Sequence, residues 1–192
     1  MERKRFISLM GLGFLSLGHS NLKVSEPMQP KKFYFVDDGK IPNSKFPLLL
    51  YQDVFSERNA EGAAWLEKTF ARYNWTNSWR NGIYSFHHYH STSHEVLGIY
   101  SGEALLHLGG EQGQKLEVRK GDIIIIPAGV GHKNLGGSDL GVVGAYPDGR
   151  SWDINRGLDG ERPQTDKNIA ALPIPLTDPF LGNNAGLPKI WV

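Results

Sequence analysis

Four residues with two distinctive spacings could do chemistry in this chain. His88 and His90 end the stretch Gly82-Ile-Tyr-Ser-Phe-His-His-Tyr-His90, Glu95 follows after Ser-Thr-Ser-His, and His132 closes Gly121-Asp-Ile-Ile-Ile-Ile-Pro127-Ala-Gly129-Val-Gly-His132. Side chains alternate along a strand, so an extended Ile83–His90 sends His88 and His90 out from one face, with Tyr84 and Phe86 beside them. The four short polar residues before Glu95 match a hairpin connection that returns the carboxylate over that face. His132 arrives from a second strand, past a turn marked by Pro127 and Gly129. Three imidazoles and one carboxylate meeting on an interior face make a divalent-metal site.

Nitrogen and oxygen donors without sulfur suit Fe(II), Mn(II), Ni(II), Co(II) or Zn(II). Four protein ligands leave one or two positions open on a five- or six-coordinate ion, which favours Fe(II) or Mn(II) over Zn(II) or Ni(II). Tyr84, Phe86, Leu97, Ile99 and Tyr146 are the candidate pocket lining, mainly apolar with a few hydroxyls, as suits a small organic ligand. No second carboxylate is placed to act as a general acid or base, so no catalytic residue is assigned.

The chain has 7 histidines: His19, His87, His88, His90, His94, His107 and His132. Taken singly, each is more often a surface or hydrogen-bonded residue than a ligand. His87 falls on the face opposite His88. His94 is the rival of Glu95, because a one-residue shift in the connection would exchange them.

The elements that position these residues read as short strands. Candidates are Ile83–His90, Glu95–Tyr100, Ala104–Leu108, Lys115–Val118, Asp122–Ile126, His132–Leu135 and Gly141–Ala145, punctuated by Gly109-Gly, Glu111-Gln-Gly113, Lys120-Gly and Gly136-Gly137. Ile123–Ile126 is apolar on both faces, as a strand covered on each side should be. Upstream, Phe33–Val36 reads as an edge strand and Pro47–Val54 as another apolar run. Ala63, Leu66, Phe70 and Tyr73 then recur at helical spacing, with Ser56 or Asn59 as the cap and Trp65 a possible addition to the stripe. This amphipathic helix, near 57–73, would pack outside the sheet. Trp75 and Trp79 sit in a turn-like segment and read as core or rim packing, with a pocket wall as the sharper alternative. Residues 147–192 are rich in proline, glycine and charge, yet too apolar for free disorder.

The two motif-bearing segments resemble the two signatures of the cupin superfamily. The first signature is a glycine, five residues, His-x-His, three or four residues, Glu, six residues and a glycine; Gly82, His88, His90, Glu95 and Gly102 fit it. The second is a glycine, five residues, Pro-x-Gly, two residues, His, three residues and Asn; Gly121, Pro127, Gly129 and His132 fit. Gly136 stands where the asparagine would be, and Asn134 comes early. In the family that asparagine supports the barrel and is not a ligand. The core likeness runs from Tyr34 to Tyr146, and the flanks resemble a small group of single-domain bacterial cupins, the YjlB-like proteins. The resemblance implies an all-β jelly-roll β-barrel over 33–146; beside its one N-terminal amphipathic helix, the apolar residues of the irregular C-terminal tail suggest that it wraps the barrel, closes one end or packs on a second subunit. It also implies a metal held by His88, His90, Glu95 and His132, and a homodimer paired through sheet edges. Cupins run many reactions, so an oxygenase, an isomerase or decarboxylase, and a non-catalytic binding protein all stay open.

Composition sets outer bounds. A chain of 192 residues suits one domain. With no cysteine, disulfides, thiolate catalysis and zinc-thiolate sites are excluded. Net charge is +1, but outside the first twenty residues 18 basic face 19 acidic residues, leaving no basic excess for nucleic acid or anionic membrane. The basic Met1–Arg5, the apolar Phe6–Leu17 and the small Gly18-His-Ser20 read as an export signal over 1–20, with Arg3-Lys-Arg-Phe-Ile resembling a degenerate twin-arginine motif. The apolar run is too short to span a bilayer, so the mature form would carry no span. Export to the periplasm is the expectation, with an extra element on a cytoplasmic protein the alternative. Residues 21–32 read as a linker.

Overall fold

The computed structural model describes residues 28–192, and two unbroken apolar runs explain its layout. Leu48–Tyr51 (β2) and Ile123–Ile126 (β6) are buried at every position, because the sheet is covered on both faces where they lie. Alternation then sorts the side chains. Leu49, Tyr51, Val96, Ile123, Ile125, Val143 and Ala145 enter one hydrophobic cluster with helix α1 (Asn59–Arg72). Leu48, Leu50, Leu97, Ile99, Leu106, Ile124, Ile126 and Val142 enter a second cluster on the other face.

The remaining elements are β1 (Lys31–Phe33), β3 (Trp75–Asn81), β4 (Glu95–Leu108), β5 (Gln114–Arg119), β7 (His132–Pro147), α2 (Gln164–Ala171) and α3 (Leu187–Ile190). Among the described residues, seven strands form one sheet in the order β1-β2-β6-β4-β7-β3, with β5 paired to β4. Every pairing is antiparallel. β4 is the hub: Glu95–Gly98 pairs with β6, Glu103–Leu108 with β5, and β7 runs along its other side through both halves. No helix among the described residues is long and apolar enough to cross a membrane.

Several elements differ from the sequence reading. The breaks expected between Tyr100 and Ala104 and at Gly136-Gly137 are irregularities within the continuous β4 and β7. Gly102 adopts φ +66, where an added Cβ would lie 2.1 Å from the Ser138 carbonyl oxygen, and the β4–β7 register shifts on either side of Ser101. The strand expected over Ile83–His90 is irregular, with single bridges from His88 to His132 and from Tyr89 to Asn155. The neighbouring strand is β3, read from sequence as a turn; it pairs with β7 and absorbs a register shift between Thr76 and Trp79, where Asn77 takes φ 55. The edge strand begins at Lys31 rather than Phe33, so the linker expected to reach residue 32 overlaps it. Lysines suit such an edge, since their charge discourages further pairing. The export signal over 1–20 lies outside the described residues.

Helix α1 buries Gly62, Ala63, Leu66 and Phe70, while Trp65 stacks on Phe55 at 5.0 Å. Neither Ser56 nor Asn59 caps it; Arg58 holds the N-cap position without a side-chain bond. The helix approaches β4 closely at Gly98, where an added Cβ would lie 2.4 Å from Leu66 Cδ2. The C-terminal segment is less irregular than expected, since it contains α2 and α3. Its apolar residues dock: Leu187 and Trp191 join the helix-side cluster, and the Trp191 indole donates to the Pro47 carbonyl.

The support expected from an asparagine after His132 comes from elsewhere. Asn134 accepts only the Gly136 N–H with its side chain. Asn43, 2% exposed, donates to the carbonyls of Val36 and Gly109 and accepts from the Gly131 N–H, tying three loops near the site.

Candidate metal centre

Three separate parts of the chain bring the donors together. His132 opens β7 and exchanges two backbone hydrogen bonds with His88, at 3.2 and 2.9 Å, which sets their imidazole centroids 4.0 Å apart. His90 follows on the same segment, its carbonyl accepting the Gly129 N–H at 2.8 Å. Glu95 opens β4, one alternation from Leu97, so its carboxylate faces the second cluster's side of the sheet. The connection between His90 and Glu95 is not the expected hairpin. Ser91 and Thr92 instead donate to the Asp153 carboxylate, and the chain crosses to β4 beside β6.

One donor atom from each of His88, His90 and His132 lies within 4.8 Å of the others, all three residues being buried. Glu95 joins through its Oε2, 3.5 Å from His90 Nε2 and 3.3 Å from His132 Nε2. The outer ring nitrogens fix the tautomers. His88 Nδ1 faces the Phe86 carbonyl at 3.3 Å, His132 Nδ1 the Val130 carbonyl at 3.1 Å, and His90 Nδ1 the Asp153 carbonyl. A carbonyl only accepts, so each Nδ1 carries a proton, which leaves Nε2 as the inward nitrogen that in the neutral ring offers a lone pair. Glu95 Oε1 accepts from the Tyr146 hydroxyl at 2.9 Å, but its buried Oε2 has no hydrogen-bond partner. Lone pairs and an unpartnered carboxylate oxygen converging in a dry place fit a cation.

Burial lowers His90, but the charge and hydrogen bond of Glu95 outweigh it and raise the ring above the usual histidine value, so a cation entering the centre displaces that proton. Burial, reinforced by the neighbouring His132 and His90, pushes His88 down to about 2, so its ring is neutral at ordinary pH. Burial alone would raise the Glu95 carboxyl, yet the His90 and His132 imidazoles beside it hold it well below the usual range. Tyr146 is pushed up by burial and by the Glu95 charge, so its hydroxyl stays protonated.

The centre is the floor of a cavity of about 300 Å³. Tyr84, Leu97 and Tyr146 line it as expected from sequence; Phe86 and Ile99 do not. Ile99 lies one alternation deeper than Leu97, fully buried in the second cluster. Phe86 stacks on Tyr84 at 4.9 Å and lies beneath the Arg156 guanidinium. The walls are also more polar than expected, with Asn77, Ser78, Arg80 and Asn81 contributed by β3. Trp79 belongs to the pocket and donates to the Tyr146 hydroxyl at 2.7 Å, giving a chain from Trp79 through Tyr146 to Glu95. Trp75, by contrast, is core.

Sequence reasoning missed Trp152 and Asp153. Trp152 stands 5.4 Å from His90 and stacks on Tyr146 at 5.8 Å. Asp153 holds the Ser91–Thr92 turn with its carboxylate and His90 Nδ1 with its carbonyl. Their only sequence signal is a tryptophan in a polar segment just past the last strand. His94 turns away, as alternation requires: its Nδ1 accepts from the Ala128 N–H at 2.9 Å and its ring packs 5.0 Å from Trp191. Burial pushes it down to about 4. His87 also leaves by the opposite face and lies beside His107.

Comparison with known proteins agrees with the motif spacing. Residues 81–139 match the cupin domain family model. Over 166 residues the chain is 41% identical to YjlB of Bacillus subtilis (strain 168), an uncharacterised protein, covering 85% of this chain and 98% of the relative. Among solved structures it is similar to acireductone dioxygenase from Bacillus anthracis with a cadmium ion in its active centre, at 18% identity and a TM-score of 0.36, over 57% of this chain and 78% of that one. It is also similar to Bacillus subtilis oxalate decarboxylase, whose structure concerns Mn(II) centres, at 18% identity and a TM-score of 0.34, over 60% of this chain and 29% of that one. Likeness this loose transfers no residue's role.

Proposed function

We propose that this chain, which belongs to the cupin superfamily and to the group that includes YjlB, is a metal-dependent enzyme acting on a small oxygenated organic compound. The reaction we favour is oxygenation, with isomerisation or decarboxylation next. The observation that carries the reading is the buried cluster of His88, His90 and His132 at the floor of a pocket, with the unpartnered Glu95 Oε2 3.5 and 3.3 Å from the Nε2 atoms of His90 and His132. His88, His90, Glu95 and His132 would hold Fe(II) or Mn(II), with Zn(II) and Ni(II) the alternatives. Such an ion supplies Lewis acidity or, as Fe(II) or Mn(II), a route to dioxygen. The jelly-roll barrel and the homodimer belong to the same proposal.

The surrounding residues bind and orient. Trp79 and Trp152 wall the cavity, and the β3 amides meet polar groups of the ligand at its mouth. Tyr146 keeps its proton on the hydroxyl shared with Trp79 and Glu95, which fixes the carboxylate and makes this tyrosine a donor rather than a base.

A second reading, a metal and small-molecule binding protein without turnover, is favoured by one feature. Apart from the four proposed ligands, the ionisable residues among the described lining are Arg80, Tyr84 and Tyr146, and Arg80 is paired with Glu67. Metal analysis of untagged protein purified without chelators tests the centre. One equivalent of iron or manganese, lost in His88→Ala, is expected; no metal in either form would defeat both readings. Dioxygen uptake with a panel of small hydroxy-carbonyl compounds then separates the oxygenase from a binding protein, and conversion of a compound without uptake marks an isomerase or decarboxylase. We also propose export to the periplasm, with the cytoplasm the alternative, which cell fractionation decides.

A further inference from the structure

Behind the proposed centre, on the opposite side of the same backbone segments, lies a second group of potential ligands. His87 precedes His88, Lys133 follows His132, and His107 pairs across the sheet with Lys133. Glu111 arrives from the turn after β4. One donor atom from each of His87, His107 and Glu111 lies within 4.8 Å of the others. The two imidazole centroids are 4.8 Å apart with their planes at 57°. The corresponding separations in the first centre run from 4.0 to 5.6 Å.

An independent observation asks for a ligand there. The His87 side chain is 10% exposed, and neither of its ring nitrogens has a hydrogen-bond partner. Its Nε2 comes within 3.4 Å of Glu111 Oε1 but is not aligned to bond it. A neutral imidazole has one N–H and one lone pair, and leaving both unmatched in a dry place is costly. Lys133 Nζ sits 2.7 Å from the same Glu111 oxygen and supplies the local positive charge. Glu111 is 74% exposed, so its carboxylate can leave the ammonium and turn toward the imidazoles.

We propose that His87, His107 and Glu111 form a second divalent-metal site, distinct from the centre at His88, His90, Glu95 and His132. Two imidazoles, one carboxylate and a water match the preference of Zn(II). An ion held there would fasten the loop one residue from His88 to β4 and to the turn beyond it. Lys133 is then a competitor, giving way as the metal binds.

The test is Zn(II) titration of the chelator-treated full chain, followed by calorimetry and by metal analysis after gel filtration. Wild type should take two equivalents, and His107→Gln and Glu111→Gln one each, with the far-UV spectrum unchanged. His88→Ala should keep one, so the second site is read apart from the first. Lys133→Met should tighten the second equivalent roughly tenfold, by removing an ammonium a few ångströms from the ion. If wild type takes only the equivalent that His88→Ala loses, the proposal is overturned. It is equally overturned if His107→Gln and Glu111→Gln bind as much Zn(II) as wild type, or if Lys133→Met leaves the affinity unchanged. Glu111 is exposed, so its variant reads the site even if the buried His107 variant fails to fold.

Discussion

The chemistry of the first centre depends on atoms that touch no ligand. Tyr146 spends its hydroxyl on Glu95 Oε1, leaving Oε2 to face the imidazoles, and Trp79 completes the hydroxyl's bonding. Partners of this kind typically change metal affinity by about 10- to 100-fold when removed. Tyr146→Phe should therefore weaken metal binding about tenfold while preserving stoichiometry, as read by competition with a chromophoric chelator. His94 and His90 make a sharper pair, because both are buried imidazoles and only His90 turns toward the centre. His94 accepts from Ala128 and packs on Trp191, so His94→Asn should lower stability and keep the metal. His90→Asn should lose it. Metal analysis beside a denaturant titration separates the two effects; a metal-free His94→Asn that still folds would contradict this placement.

At the scale of elements, the site rests on how closely β3 approaches β7. Trp79 lies directly opposite Gly144, and a Cβ there would fall 2.2 Å from the indole ring. The ring is rigid and bonded to Tyr146, so it cannot yield as a flexible side chain would. Gly144→Ala should cost about 1–3 kcal/mol of stability through overpacking. It should also weaken metal binding by displacing the indole, so equilibrium unfolding and chelator competition should report a joint loss. The same contact marks where sequence legibility ended. The gathering of His88, His90, Glu95 and His132 was legible from their compact spacing, although only Glu95 and His132 start strands and His88 and His90 lie on an irregular segment. Trp79, Trp152 and Asp153 were not legible, since each reaches the centre through long-range pairing or docking that no local periodicity encodes. β3 itself looked like a turn because Asn77 adopts a positive φ at a bulge, and bulges break the alternation by which strands are read. Gly136 misled in the other direction, reading as a strand end inside the continuous β7.

Across the whole molecule, the C-terminal segment closes the fold and supplies part of the site, so its attachment matters to both. Trp152 and Asp153 extend from β7, and the chain returns to bury Trp191 against Phe46 at 5.3 Å. The central fastening is Asp178. Its carboxylate accepts the N–H groups of Phe180, Leu181 and Leu187 and, from β2, the Tyr51 hydroxyl at 2.6 Å. Burial, then the Asp178 charge, raises the Tyr51 hydroxyl well above its ordinary value of 10.0. Tyr89, which ties the His90 segment to α2 through Thr165, is pushed up to about 12, mainly by burial. Both groups are protonated in folded and unfolded chains below pH 10, so their contribution is fully present there. Above that pH the unfolded chain releases these protons first, and stability falls by about 1.4 kcal/mol per pH unit for each such tyrosine until its folded value is reached. The denaturation midpoint should therefore be level from about pH 8 to 9.5 and drop steeply beyond pH 10. Tyr51→Phe should start lower, because Asp178 loses a donor, but decline more gently above pH 10. Parallel slopes for the two proteins in urea titrations across that range would mean that the Tyr51–Asp178 bond does not hold the tail to the sheet.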